Sequence, residues 1–252
     1  HSRMLLLVKE PCVDLAHQSK LYIHAGSTLL FSNGKCRERC FLFGPDGEAV
    51  LEQDKLFLNP EEMAAGITPG EDLELCETPL GRIAILPGND SNFFEPAKAA
   101  SQLGAQLILC PRSPSETDNE VAERCGPWMR CQEQALYALV SRFVGKLHSF
   151  RFIGKAAVFA PYEATKATKN GIVTQSAQLR HPRIRFAVTQ SAQNDKECVL
   201  CSRVNLEYLD LPVDLYAADS NPALSRKLAE AYRDFPEPLP HLEAVSEENN
   251  GE

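Results

Sequence analysis

The chain has 252 residues, of which 44% are apolar and 24% charged, and its net charge is −8. That composition fits one large α/β domain with a substantial buried core, and the acidic balance without a basic stripe argues against nucleic-acid binding. No apolar run approaches the ~20 residues of a membrane span, and residues 4–8 are too short for a signal-peptide core. We therefore expect a cytoplasmic protein without membrane or nucleic-acid partners.

The nine cysteines are an odd number without the rhythm of a disulfide framework, which favours reduced thiols and an intracellular setting. Two local pairs, Cys36/Cys40 and Cys198/Cys201, could each supply half of a zinc site. Cys198 and Cys201 lie in an apolar strand-like run, where residues three apart point to opposite faces. Small buried thiols are the favoured interpretation, and neither a metal nor a cofactor is predicted.

Strand-like and helix-like runs alternate along the chain, which predicts an α/β layered fold. A turn at Gly44-Pro45-Asp46-Gly47 ends the third predicted strand. Pro111 is expected to end the predicted strand at 106–110. The predicted strands cover residues 21–24, 28–31, 40–43, 49–51, 82–86, 106–110, 156–160, 171–174, 184–189 and 198–205.

Three segments have helical spacing, namely residues 96–103, 129–143 and 223–232. Gly104 has the position of a C-terminal cap for the first helix. The second helix would carry Leu136, Leu139 and Val140 on one apolar face. From residue 236 the chain has three prolines, five glutamates and no Lys or Arg, so residues 1–235 are predicted as the domain and 236–252 as a disordered acidic tail.

Four motifs follow one another in a fixed order and together cover roughly residues 15 to 210. In this order and spacing they resemble the nitrilase superfamily of carbon–nitrogen hydrolases. They are residues 22–27 with 43–47, residues 54–62, residues 81–90 continuing through 93–96 to 104–111, and residues 152–157 with Pro161 and 170–172.

The resemblance implies a four-layer α-β-β-α sandwich and a Glu–Lys–Cys catalytic set. In such a set the cysteine attacks a nitrile or amide carbon and forms a thioester, while the glutamate serves as general base. The lysine stabilises the tetrahedral intermediate. This division of roles is physically sensible, because a thiolate needs a nearby base and cation, and a developing oxyanion needs a positioned positive charge.

Two residues of the second motif match functional positions of the family. Lys55, in the setting Asp-Lys-x-x-Leu, matches the lysine, and Glu62 matches a supporting glutamate, with Glu61 as the alternative shifted by one residue. The structural alternatives are a solvated lysine after a strand and glutamates that favour a helix N-terminus after Pro60.

Gly88 stands where the resemblance places the cysteine nucleophile. The family pattern is an apolar strand, then Cys, an aromatic residue and Asp, followed by Phe-Pro-Glu; here Asp90, Phe93 and Glu95 keep that register. Glycine has no side chain and cannot form a thioester. Asn89 replaces the usual aromatic residue, so the change extends beyond one position and indicates natural divergence.

The N-terminal segment is short for the family. Glu10, at the end of a predicted short apolar strand, is the candidate for the general base, with a helix-start glutamate as the alternative. Only about ten residues separate it from Leu21, fewer than the family uses. Either the opening βα unit is absent, or its residues lie outside this sequence.

Further residues are candidates for a relocated nucleophile and for substrate binding. Cys110 ends the strand beside the Gly88 strand and is the candidate for a relocated nucleophile, although a buried apolar thiol is favoured. Asn89, Asp90 and Trp128 are candidates for substrate binding, the last as a pocket wall or a core residue.

The sequence therefore favours a nitrilase-like domain without standard hydrolase activity, acting as a binding, scaffolding or regulatory subunit. The alternative is a carbon–nitrogen hydrolase of small amides that uses an altered or relocated nucleophile. Lys55 would bind a small amide or carboxylate. The resemblance also implies a homodimer or a complex with a related subunit.

Overall fold

The computed structural model describes residues 2–113, 124–152, 156–161 and 221–233. The chain divides into two compact units, His1–Val213 and Asp214–Glu252. Within the described ranges, no helix combines the length and apolar character that crossing a bilayer requires. The predicted tail, 236–252, and the predicted strands at 171–174, 184–189 and 198–205 lie outside the described residues.

The described elements of the first unit begin with a helix and a three-stranded meander and continue as alternating strands and short helices. The first half contains α1 (Ser2–Ser19), β1 (Ile23–Ser32), β2 (Lys35–Phe43), β3 (Ala49–Asp54), α2 (Pro60–Ala64), β4 (Leu75–Thr78) and β5 (Gly81–Ile85). The second half contains a 3-10 turn (Gly88–Ser91), α3 (Phe94–Gln102), β6 (Leu107–Arg112), a wide helical turn (Arg124–Trp128), α4 (Met129–Gln134), β7 (Tyr137–Arg142), β8 (Gly145–Leu147), β9 (Phe150–Phe152) and β10 (Ala157–Phe159). In the second unit, helix α5 (Pro222–Arg233) confirms the helix predicted at 223–232.

Two sheets form the centre of the first unit. Strands β1, β2 and β3 make an antiparallel sheet in that order, and the larger sheet has the order β10-β7-β6-β5-β4. Strands β5, β6 and β7 are parallel neighbours, whereas β4 and β10 are antiparallel at the edges. Side chains at the carboxyl ends of β5 and β6 therefore meet at one edge of the sheet, where sites form in such folds.

Three apolar clusters separate the layers, because alternate residues of each strand face opposite sides. Phe41 and Phe43 of β2 pack against α1 around Ala16. Cys40 and Leu42 face the larger sheet in the inter-sheet cluster. The far side of the larger sheet packs against α3 and α4 in a cluster of Ala84, Leu86, Ala97, Ala100, Ile108, Cys131, Ala138 and Val140. This helix–sheet–sheet–helix order confirms the predicted α/β sandwich.

The prediction for the segment before residue 11 was wrong. Residues expected to form a short strand ending at Glu10 belong to helix α1, which places Cys12, Val13 and Ala16 against the first sheet. The residues of this helix that contact the sheet are one and four positions apart, which is helical periodicity. The five-residue apolar run at 4–8 could not by itself distinguish a strand from a helix.

The helix predicted at 129–143 was also wrong beyond its first turns. Helix α4 ends at Gln134, Ala135 adopts a left-handed φ of 51°, and β7 begins at Tyr137. Leu139 and Val140 then face opposite sides of the sheet, in the inter-sheet and outer clusters respectively. Apolar residues three and four positions apart have the spacing of one helix face. A strand that is buried on both sides is apolar along its whole length, so it can show the same spacing.

Several local predictions were confirmed. The Gly44–Gly47 turn closes with the Gly47 N–H donating to the Gly44 carbonyl at 2.8 Å. Gly104 follows α3 with a left-handed φ of 88° and donates its N–H to Ser101 O at 2.9 Å. Two boundaries differ: β1 is one strand with a bulge between His24 and Ser27, and β6 continues through Pro111 to Arg112.

Candidate functional site around Lys55

Lys55 follows β3 directly, and its side chain is 6% exposed. Its Nζ forms an ion pair with Glu62 Oε1 and a second one with Glu38 Oε2 at 3.3 Å. One buried ammonium group therefore lies between two carboxylates. Such a group needs these partners, because an unpaired buried charge is strongly destabilising.

The capping box at the start of α2 positions Glu62. The Asn59 side chain accepts from the Glu62 N–H at 2.8 Å, and Glu62 Oε2 accepts from the Asn59 N–H at 2.8 Å. Pro60 occupies the first helical turn, where its missing N–H has no cost. One oxygen of Glu62 thus caps the helix, while the other contacts Lys55.

Glu38 comes from the inward face of β2, between the buried residues Cys36 and Cys40. Its Oε1 accepts from the Ser27 hydroxyl at 2.6 Å, and its backbone carbonyl accepts from the Lys55 N–H at 2.9 Å. Three strands or their ends therefore fix this carboxylate. Glu38 was not predicted from the sequence, although a charged residue in phase with two buried cysteines of one strand indicates an inward-facing charge.

Two opposing effects act on the pKa of Lys55. Burial alone would lower it, but the hydrogen bonds and charges of Glu62 and Glu38 outweigh burial and raise it. The ammonium form is therefore the stable form at neutral pH. With two carboxylates and one ammonium, the cluster carries a formal charge of −1.

Gly88 faces this cluster from the end of β5. It begins the 3-10 turn with a left-handed φ of 50°, and a Cβ built there would lie 3.1 Å from Lys55 Nζ and 3.3 Å from Lys55 Cε. A side chain at position 88 would consequently point at the ammonium group. The backbone conformation is one that glycine adopts readily and other residues adopt at a cost.

Asp90 ties the Gly88 turn to the chain after Lys55. Its buried carboxylate accepts from the Leu56 N–H at 2.9 Å and from the Phe57 N–H at 2.7 Å. The rings of Phe57 and Phe93 also stack, with centroids 4.5 Å apart. Burial raises the pKa of Asp90 to about 7, against the lowering effect of the two backbone hydrogen bonds.

Arg112, at the end of β6, holds the same turn from the other side. Its Nη1 donates to Ser91 Oγ at 2.9 Å and to Asn92 Oδ1 at 2.6 Å, and Ser91 Oγ donates to Gly88 O at 2.8 Å. A Cβ at Gly126 would lie 2.7 Å from Asn92 Oδ1, so a side chain there would collide with this network. The turn that carries Gly88 is thus fixed on both sides.

The structure brings together Lys55, Glu62, Gly88 and Asp90 of the predicted site residues. Asn89 lies in the same turn, where its Oδ1 is 3.4 Å from Asn92 Nδ2. Glu61, the alternative to Glu62, is exposed.

Two predicted residues lie elsewhere. Glu10 is exposed on helix α1, so the carboxylates that contact Lys55 among the described residues are Glu38 and Glu62 instead. Trp128 is half-buried against the outer core cluster, which matches the alternative of a core tryptophan. The strand that would have presented Glu10 is a helix, which explains the first difference.

The buried thiols of Cys40 and Cys110 are poor candidates for a relocated nucleophile. Burial raises the pKa of Cys110 to about 12, and burial also raises the pKa of Cys40, which lies on β2 next to the Lys55 cluster. A nucleophilic cysteine must be a thiolate, and these groups stay protonated at neutral pH. Cys198 and Cys201 lie outside the described residues.

The fold is similar to the folds of solved members of the nitrilase superfamily. An amidase from Nesterenkonia sp. AN1 superposes with a TM-score of 0.56 at 21% identity, over 61% of this chain and 60% of that one. Saccharomyces cerevisiae Nit3, a member of branch 10 of the superfamily, superposes with a TM-score of 0.57 at 18% identity, over 62% and 58%.

Sequence similarity points to the same class. The probable hydrolase YhcX of Bacillus subtilis is 29% identical over 180 residues, which cover 69% of this chain and 34% of that protein. The omega-amidase NIT2 of Bos taurus is 30% identical over 106 residues, or 39% of this chain and 38% of that protein. No protein-family model matches the chain. The chain thus spans little more than a third of these relatives, and the similarities support the predicted membership of the nitrilase superfamily.

Proposed function

We propose that this chain is a carbon–nitrogen hydrolase-type domain that binds a small amide at Lys55 without hydrolysing it through a thioester. It would then act as a binding, scaffolding or regulatory subunit. The observation that carries the proposal is the position of Gly88, whose missing Cβ would lie 3.1 Å from Lys55 Nζ. The position next to the buried ammonium group has no side chain that could attack an amide.

Chemistry in a similar fold supports this interpretation. In a mutant of the Nesterenkonia amidase, the acetamide moiety of fluoroacetamide is added covalently at the active-site cysteine. Gly88 is the counterpart that we propose for such a cysteine, and burial raises the pKa of the Cys40 and Cys110 thiols, which favours their protonated forms. Catalytic groups act as a unit, so loss of the nucleophile removes most of the rate enhancement.

Amide hydrolysis by an altered route is the second candidate. It is favoured by the relatives, which are an amidase, omega-amidases and a probable hydrolase. Their names support hydrolysis better than they support a domain that lacks it. The buried Lys55 with Glu38 and Glu62 also retains a cation and two carboxylates at one place, as acid–base chemistry on an amide requires.

Ammonia release from a panel of ω-amido acids and carbamoyl compounds separates the two candidates. The wild-type chain should be silent, and Gly88→Cys should gain activity because its thiol would lie beside Lys55. Gly66→Cys is the matched control, since Gly66 also has a left-handed φ, 78°, but no heavy atom within 4 Å of its Cβ position. Turnover by the wild type would overturn the proposal in favour of hydrolysis.

Assembly and location are part of the same proposal. A subunit without hydrolysis of its own would pair with a second copy or with a related active subunit in the cytoplasm. Sedimentation of the purified chain alone, and after mixing with a nitrilase-superfamily amidase, measures both forms of association. A strictly monomeric chain in both samples would contradict it.

A further inference from the structure

The donors and acceptors around Lys55 are unequal in number. An ammonium group has three N–H donors, and among the described residues Glu62 and Glu38 are the carboxylates that accept from it. These two partners leave one N–H donor, and Gly88 puts no side chain on the side of the ammonium group where a Cβ would lie 3.1 Å from Nζ. A ligand at this place meets one cationic donor.

The two carboxylates offer more acceptor capacity than this one donor. Glu38 accepts from Lys55 and the Ser27 hydroxyl, and Glu62 accepts from Lys55 and the Asn59 N–H. Four oxygens have about eight lone-pair sites between them, so several remain open. The side chains of Glu38 and Glu62 are 21% and 19% exposed, so both are partly accessible to solvent.

We infer that Glu38 selects the charge of the ligand, admitting a neutral primary amide or an ammonium group next to Lys55 and excluding a carboxylate. The inference rests on the proposed function and narrows the predicted amide or carboxylate ligand to an amide. A primary amide accepts from Lys55 through its carbonyl oxygen and donates to the carboxylates through its NH₂ group. A carboxylate brings further acceptors and a second net negative charge.

Glu38 is the deciding carboxylate because Glu62 has a second role. Glu62 Oε2 caps α2 by accepting from the Asn59 N–H, so a change there alters the helix as well as the charge. Glu38 supplies the second negative charge from a rigid strand, 3.3 Å from Nζ. At a separation of roughly 5 Å and an effective dielectric constant near 20, one charge changes the affinity of an ionic ligand by roughly 300-fold, and solvent and salt screening at a partly exposed side chain reduces this to roughly 10- to 100-fold.

Calorimetric titration of propionamide, propionate and propylammonium at low salt and pH 7.5 tests the inference. The wild type should bind propionamide and propylammonium and bind propionate at least roughly 10-fold more weakly. Glu38→Gln keeps the shape of the side chain but removes its charge, so the propionate-to-propionamide affinity ratio should rise roughly 10-fold or more. Glu52→Gln, which removes an exposed carboxylate of β3, should leave the ratio unchanged.

The titration data distinguish a failure of charge selection by Glu38 from a failure of amide binding at Lys55. If propionamide and propionate bind the wild type equally, or if Glu38→Gln leaves their ratio unchanged, charge selection is wrong and amide binding stands. If none of the three compounds binds the wild type, the proposed function fails and the inference with it. The wild-type ratio alone decides the matter if Glu38→Gln does not fold, which its thermal denaturation curve would reveal.

Discussion

Strand β2 carries two ion-pair clusters on its opposite faces. The inward cluster consists of Glu38, Lys55 and Glu62, with the ammonium group 6% exposed. The outward cluster lies on the other face, where all its members except one lysine line a cleft of about 370 Å³. It consists of Lys35, Arg37, Arg39, Glu52, Asp54 and Glu71.

Both clusters pair cations with carboxylates, but they differ in what the pairing does. Arg39 binds Asp54 through two nitrogens, at 2.6 and 2.9 Å, and binds Glu52 at 2.8 Å in contact with solvent. Water and salt screen such pairs, so they stabilise the fold only modestly. Around Lys55 the pairing is required, because the ammonium group, which is 6% exposed, would otherwise be a buried and unpaired charge. The contrast teaches that burial, rather than residue type, makes the inward cluster a candidate site.

Removal of the central cation should have the largest effect. Lys55→Met leaves Glu38 and Glu62 facing each other, and we expect the free energy of unfolding to fall by about 3–5 kcal/mol. Urea denaturation at pH 7.5 measures it. Lys35→Met is the matched control in the outward cluster, where the lysine is 49% exposed, and it should change little. Equal losses in both variants would abolish the distinction between the clusters.

The pH dependence of stability should report Asp90. The pKa of Asp90 is raised from 3.8 to about 7, so the folded chain keeps a proton that the unfolded chain releases above pH ~4. Its contribution to stability therefore falls as the pH rises from about 4 to about 7 and is constant above that, with each pKa unit worth about 1.4 kcal/mol.

Asp90→Asn should remove this component. The wild-type minus variant difference in unfolding free energy, measured from pH 4.5 to 7.5, should slope downward with pH. Asp72→Asn, at an exposed aspartate, should give a flat difference. A flat difference for Asp90→Asn as well would mean that Asp90 titrates normally.

A methyl group at position 88 should have an intermediate effect. Gly88→Ala forces a left-handed φ on alanine and brings Cβ to 3.1 Å from Lys55 Nζ. We expect a loss of about 1–2 kcal/mol from the backbone conformation, plus the cost of displacing Lys55. Gly66→Ala isolates the backbone part, because its Cβ position is open. If Gly88→Ala and Gly66→Ala lower the Tm equally, displacing Lys55 from the new methyl group has no measurable cost.

The smallest effect is expected in the outward cluster. Arg39→Gln removes the two-nitrogen contact with Asp54, and we expect a loss of up to about 1 kcal/mol that shrinks with added salt. Thermal denaturation in roughly 10 mM and roughly 1 M salt, where the screening lengths are about 30 Å and about 3 Å, measures this loss. A loss that persists at high salt would place Arg39 with the buried pairs.

The alternation of strand-like and helix-like runs predicted the layered fold, and the resemblance of the motifs to a known family predicted Lys55 and Glu62 of the inward cluster. The apolar strand before Gly88 and the Asp-Lys motif at Lys55 mark two chain segments that the fold brings together. The helix predicted across Ala135 failed because a doubly buried strand lacks alternation. Glu38 was missed because its alternation with Cys36 and Cys40 indicates only the face that it occupies, whereas its contact with Lys55 depends on the pairing of β2 with the end of β3.

The double use of Glu62 links the site to amide hydrogen exchange. Helix α2 has five residues, too few to persist on its own, and its capping box shares Glu62 with Lys55. The amide protons of Asn59 and Glu62 are protected only while that glutamate and Asn59 hold each other. The exchange rates of these two amide protons therefore report whether Glu62 stays in place beside Lys55. A ligand that draws Glu62 away should increase deuterium uptake at Asn59 and Glu62.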